Sequence, residues 1–234
     1  MEGLGAFSSV TASTRRLLDS IATLSDDQIG EPTLIPPWTR GHVITHIARA
    51  ADSYRRLLAG AIDDIEVPQY PSMQFRSDQI EAGANRSVAE LLADVEDSSA
   101  RFERTMRSLP EHAWQARVRM RPGELRRPAE LPLIRIREVE LHHVDLAVGY
   151  TFSDIPTDTA RWVIEDILME WARRDEPPAV RFEAIDTGLT YELGVGAPLI
   201  TGNQAELLGW LSGRAASETL TVEGPTSLNA PTWI

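Results

Sequence analysis

Four stretches in the first 150 residues place apolar side chains at helical spacing, and this repetition limits the fold more than any other feature of the sequence. The first stripe is Leu4, Phe7, Val10, Leu17, Ile21 and Leu24, with Thr14 as its one polar member. The second begins near Thr39, a residue type suited to an N-cap, and runs Val43, Ile47, Ala50, Tyr54, Leu57, Ala61. The third opens on Ser87 with Glu90 three residues on, the pairing of a capping box, and continues through Val88, Leu91, Val95, Phe102, Met106 and Leu109 to Pro110. The fourth spans about 131–148 and stops at Gly149, a residue suited to the left-handed position after a helix. A helix with one apolar face must bury it against a partner, so four of this length predict a four-helix bundle. The connections 31–38, 66–83 and 110–128 are proline-rich and longer than bundle loops need to be, a property that often accompanies function.

After Pro156 the pattern changes. Residues 158–174 read as a fifth helix with Ala160, Val163, Ile164, Ile167, Leu168 and Trp171 facing inward, ended by Pro177 and Pro178. Two short alternating runs, 180–185 and 189–193, flank Asp186-Thr187-Gly188, a hairpin signal. A helix over 203–211, followed by Gly213, and a strand over 220–222 complete the reading. The expected fold class is α+β multidomain, with an all-α domain over 1–150 and a small α+β domain over 151–234.

Composition narrows the chemistry. The 234 residues contain no cysteine, which excludes a disulfide scaffold, a thiolate metal site and a cysteine nucleophile. All 23 basic residues are arginine, so a Walker lysine and a lysine Schiff base are excluded as well. A net charge of −12 disfavours nucleic acid and anionic membranes as partners. No apolar run approaches a membrane span, and Met1-Glu2-Gly3 lacks the start of a signal peptide, so a cytoplasmic location is expected.

Four of the five histidines fall in the expected bundle helices, as His42 and His46 and as His142 and His143. Glu138 and His142 are four apart and share one helix face, and His46 lies at the margin of the second stripe. Two imidazoles and a carboxylate brought together in a bundle leave one tetrahedral corner open, the pattern of a catalytic rather than a structural zinc site. Other divalent metals suit the same N and O ligands. The competing reading makes each histidine a hydrogen-bonded core residue and pairs Glu138 with Arg135 or Arg137. His42 is expected near the helix start in a supporting role. His143 is rotated by ~100° from His142 and faces elsewhere, and His112 is expected in a solvated loop. Seven arginines (Arg117, Arg119, Arg121, Arg126, Arg127, Arg135 and Arg137) crowd one segment that could attract an anion, although a solvated loop is their default. Arg214, at the end of the last helix, either complements the helix dipole or grips a carboxylate.

The run Trp38-Thr39-Arg40-Gly41-His42-Val43-Ile44-Thr45-His46-Ile47-Ala48, the later Glu138-x-x-x-His142 and the segment from Asn203 to Arg214 resemble the mycothiol-dependent maleylpyruvate isomerase family. The resemblance spans nearly the whole chain. It implies a DinB-like metal-binding four-helix bundle over 1–150 and a small α+β domain over 151–234 contributing to the substrate site. It further implies that His46, Glu138 and His142 hold zinc, that Arg214 is catalytic through substrate recognition, and that mycothiol is the thiol cofactor. The implied reaction is cis-trans isomerisation of maleylpyruvate to fumarylpyruvate in gentisate breakdown. The expected partners are a small dicarboxylate and a low-molecular-weight thiol, with neither nucleic acid nor membrane, for a monomeric chain. A mycothiol S-transferase acting on another electrophile, or a non-catalytic metal- or partner-binding bundle, stands as the alternative.

Overall fold

The computed structural model describes residues 3–121, 123–215 and 218–223, with side chains described from residue 8 onward. The chain divides into two compact units, with the division along the sequence between Gly149 and Tyr150.

In the first unit the four expected helices are α1 (Gly3–Ile21), α2 (Arg40–Ile62), α4 (Val88–Arg107) and α6 (Leu131–Asp145). Their stripes meet in one core, with Leu17 and Ile21 from α1, Val43, Ile44, Ile47 and Ala48 from α2, Leu91 and Val95 from α4, and Val139 from α6. Side chains of this kind contribute about 1.5–3 kcal/mol each when fully buried, so this ring of contacts sets which faces of α2 and α6 meet. Thr14 is buried in the stripe as expected, while Leu4 and Phe7 lie outside the described side chains. The capping box at Ser87 forms: Glu90 Oε2 accepts from the Ser87 amide at 2.9 Å, and the Ser87 hydroxyl accepts from the Glu90 amide at 3.4 Å. Asp26 adds a second carboxylate there, accepting from the Val88 amide at 2.7 Å.

The connections hold more structure than their composition suggests. Segment 66–83 contains α3 (Met73–Gly83), whose N-cap Ser72 accepts from the Phe75 amide at 3.0 Å. Segment 110–128 contains the single turn α5 (Glu111–Trp114) and a two-residue hairpin, β1 (Val118–Arg119) with β2 (Leu125–Arg126). Helix α6 ends at Asp145, before the expected boundary, and the chain turns out through Ala147 at φ 53° as well as Gly149 at φ 93°. Ala147 thus takes a left-handed conformation that the sequence suggested for glycine alone.

The second unit holds α7 (Thr157–Ala172), the strands β3 (Val180–Ala184), β4 (Thr190–Leu193) and β5 (Leu199–Gly202), α8 (Gln204–Leu211) and β6 (Thr221–Val222). The sheet order is β4-β3-β5-β6. The expected hairpin pairs β3 with β4 antiparallel, with Gly188 at φ 70° in its turn. Strand β5, which periodicity did not reveal, pairs parallel to β3 and antiparallel to β6. Val180, Phe182 and Ala184 form the buried face of β3. No described helix is long and apolar enough to cross a membrane.

Candidate metal centre

The start of α2 and the end of α6 are tied together by Arg40. Its Nε donates to the Leu146 carbonyl at 2.9 Å and its Nη2 to the Ala147 carbonyl at 3.2 Å, while Glu31 pairs with its Nη1. Cations at a helix C-terminus complement exposed carbonyls and the dipole; here the cation belongs to the first turn of the neighbouring helix. Gly41, next in line, lets that turn press against the backbone of Ala84. His42 does not join the candidate cluster. Its Nδ1 accepts from the Thr39 amide at 3.2 Å, and its Nε2 lies 3.3 Å from Glu81 on α3. It therefore fixes the beginning of α2, the supporting place expected for it.

One helical turn further along α2, His46 meets Glu138 and His142 of α6. One ligand atom from each lies within 4.8 Å of the others. His46 Nε2 is 3.3 Å and His142 Nε2 3.8 Å from the same oxygen, Glu138 Oε2. A tetrahedral ion bound at about 2.0–2.2 Å needs its donors roughly 3.3–3.6 Å apart, so the cluster is close to the required size. The imidazole planes stand nearly perpendicular, at 84°, with centroids 4.7 Å apart.

The protonation states suit the same role. Burial pushes His46 down to about 4, outweighing the hydrogen bond to Glu138 that favours its charged form. Burial alone would raise Glu138, but the hydrogen bond from His46 and the charges of His142, His46 and Arg137 hold it well below the usual carboxylate range. At neutral pH the pair is a neutral imidazole and an ionised carboxylate, the forms that donate to a metal. His142 Nδ1 lies 2.8 Å from Oδ2 of fully buried Asp145, which can accept its proton and aim Nε2 into the cluster.

The competing pairing of Glu138 is weakly represented. Arg137 Nη2 is 4.0 Å from Glu138 Oε1. Arg135 turns inward, is fully buried and donates to the Ile47 carbonyl at 2.7 Å and to Ser99 Oγ at 3.1 Å. His143, on another face of α6, contacts Ser20 Oγ of α1 at 2.8 Å. His112 is exposed and contacts the Ile62 carbonyl from the short helix α5.

Four further side chains lie around the cluster, of which Tyr70 and Arg76 carry no local sequence signal of their place. Trp38 lies against His46 with ring centroids 5.2 Å apart. Tyr70 is pushed up by burial, as is Tyr54, which burial and then the Glu138 charge hold well above the ordinary phenol value. Arg76 of α3 places Nη2 3.2 Å from His46 Nδ1. Asp145 could have been found, because a carboxylate three residues after a helical histidine shares its face.

Of the arginine-rich segment, Arg119 pairs with Glu66 at 2.8 Å, and Arg126 with Glu124 at 3.0 Å and Glu130 at 3.5 Å. In the second unit, Arg214 follows Gly213, which has φ 72°, and its Nη1 donates to the Ser212 carbonyl at 2.8 Å.

The family described as mycothiol maleylpyruvate isomerase N-terminal domain matches residues 10–147. The fold is similar to a crystal structure of the mycothiol-dependent maleylpyruvate isomerase, with a TM-score of 0.91 and 25% identity over 100% of this chain and 98% of that one. A crystal structure of a histidine-to-alanine mutant of the mycothiol-dependent maleylpyruvate isomerase gives a TM-score of 0.90 at the same identity and coverage. No curated protein matches the chain by sequence.

Proposed function

This chain belongs to the mycothiol maleylpyruvate isomerase family, and from that premise we propose that it is a cytoplasmic, metal- and mycothiol-dependent isomerase converting maleylpyruvate to fumarylpyruvate. The observation that carries the reading is the convergence of three donors in the His46–Glu138–His142 cluster, a set that a four-coordinate ion would complete with one further ligand.

The donor set fits a divalent ion, with zinc the first choice for two imidazoles and a carboxylate. Such an ion supplies Lewis acidity, either lowering the pKa of a thiol or polarising a carbonyl. The chain's own residues hold the donors in readiness. Asp145 orients His142, burial keeps His46 neutral, and Arg40 locks the two helix ends that carry them.

The reaction must overcome the barrier to rotation about a cis carbon–carbon double bond. A thiolate adds to the conjugated alkene, forming a C–S bond and moving the π pair onto the carbonyl oxygen as an enolate. Rotation then takes place about a single bond. The enolate pair returns, the C–S bond breaks and the thiolate leaves the trans product, so no net proton or electron is consumed. A chain without cysteine has no thiolate of its own, which fits a mechanism in which the nucleophile is the small-molecule thiol. Arg214 is assigned to a carboxylate of the substrate, where its planar fork gives two parallel hydrogen bonds.

Metal analysis of the purified protein, with turnover assayed in the presence and absence of mycothiol, tests the proposal. Turnover should need only catalytic mycothiol, recovered at the end. Stoichiometric consumption of the thiol would assign conjugation instead, and full activity of metal-free protein would refute the role of the cluster.

A further inference from the structure

Arg76 stands beside the proposed ligands without a carboxylate partner among the described residues. Its neighbours are aromatic and imidazole groups. The guanidinium carbon lies 5.5 Å from the centroid of Trp38 and 5.8 Å from that of Tyr70, and Nη2 lies 3.2 Å from His46 Nδ1. Three other arginines of this unit are matched with acids, Arg40 with Glu31, and Arg49 and Arg86 both with Asp94, while buried Arg135 is satisfied by the Ile47 carbonyl and Ser99 Oγ. Leaving a half-buried guanidinium without a counter-ion is unfavourable unless something else uses its charge, and the Tyr70 hydroxyl, which accepts from Arg76, and the two aromatic faces compensate only part of that.

The contact with His46 has a direction. Arginine has donors and no acceptor, so His46 Nδ1 must offer its lone pair, and the neutral ring then carries its proton on Nε2. That nitrogen faces Glu138 Oε2 at 3.3 Å. A His46 that gives its Nε2 lone pair to a divalent cation carries its proton on Nδ1 instead. Two N–H groups cannot share one hydrogen bond, so filling the cluster displaces Arg76 from His46. Trp38 and Tyr70 keep the guanidinium beside the cluster, and an anion is the partner that it then lacks.

We infer that Arg76 is a second carboxylate-binding residue of the site, giving up His46 for a carboxylate of the dicarboxylate substrate when the cluster is loaded. The inference rests on the metal site of the proposed function and adds to it a residue that faces the ligands from α3. Bidentate pairing with a carboxylate is the geometry at which a guanidinium exceeds an ammonium, so lysine should replace it poorly.

The test uses the full chain loaded with Co(II), whose visible spectrum reports ligands at the open position, and maleate, a cis dicarboxylate, as the probe. Arg76→Met should bind Co(II) with the stoichiometry of the parent and keep the parent's circular dichroism. Its maleate dissociation constant should rise about 10- to 100-fold, the size expected for loss of a charge-assisted pair. KM for maleylpyruvate should rise by a similar factor with kcat much less affected, and Arg76→Lys should recover only part of either loss. An unchanged maleate constant in Arg76→Met would overturn the inference. Loss of Co(II) binding in that variant would overturn it too, because Arg76 would then be holding His46 in place. The two readings fail separately. A parent protein that binds Co(II) and maleate but does not turn over maleylpyruvate refutes the isomerase, while the comparison of maleate constants still decides Arg76. A parent that takes up no Co(II) refutes both.

Discussion

His142 and Asp145 face each other across one turn of α6, with Nδ1 2.8 Å from an oxygen of a carboxylate that has no exposure to solvent. An acceptor at that place keeps the imidazole proton on Nδ1 and leaves the Nε2 lone pair facing the cluster, where a metal ion would accept it. Asp145→Asn should therefore weaken metal binding about 10- to 100-fold, the usual effect of losing such an outer partner. Competition against a chelator of known affinity measures the change. An unchanged affinity would restrict Asp145 to a structural role.

His46→Ala removes a proposed ligand outright and should do more harm than any supporting substitution. Metal content of the purified variant should fall to a small fraction of stoichiometric, and isomerase activity should fall in step by more than about 100-fold. Elemental analysis and the isomerase assay on one preparation check both. Retention of metal without activity would separate the ligand role from the catalytic one.

Acidification should destabilise the metal-free protein through the same residue. His46 is held at about 4 in the fold against an ordinary value of 6.5, so the unfolded chain takes up this proton first. Stability should decline as pH falls from about 6.5 toward 4, by about 3 kcal/mol in all from this group. Glu138, lowered from its ordinary 4.5, adds a loss of the same sign as pH falls below that value. Urea midpoints measured across this range should follow that slope, and His46→Gln should flatten it above pH 4.5. A parallel slope in the variant would count against the assignment.

Gly41→Ala should be damaging despite its small size. An added Cβ would lie 1.9 Å from the Ala84 carbonyl oxygen and 2.8 Å from Ile29 Cγ2, too close for either to remain in place. The first turn of α2 would have to move outward at a cost of about 2 kcal/mol or more. Thermal unfolding should register the loss, and metal affinity should fall because His46 is carried on the same helix. Normal stability would mean that the turn yields more easily than its packing implies.

The candidate cluster is legible in the sequence because a helix sets the spacing of its own side chains. Glu138 and His142 share a face by arithmetic, and the rotation that separates His143 from His142 sends it to Ser20 instead. The apolar stripes likewise gave the four long helices. Helix α3 escaped because only Ile80 and Gly83 are buried along it, leaving no stripe to read. Strand β5 escaped because its place depends on a parallel pairing with β3 across a crossover. Arg76 is near His46 only because α3 packs on α2, a tertiary fact with no signature within the 30 residues that separate them. Arg135 shows the converse: counted among the charges of an exposed segment, it is a fully buried donor beneath α2.

Glu138 and His142 stand on α6, while His46 comes from α2 roughly 90 residues earlier in the chain. An ion held by all three is therefore also a cross-link between two long helices. Binding that favours the folded chain alone adds to its stability, by about 4 kcal/mol when the free ion is at a thousand times its dissociation constant. Catalytic competence and mechanical integrity would then be governed by the same occupancy. A cell short of the metal would hold a looser protein as well as an idle enzyme, one more open to proteolysis.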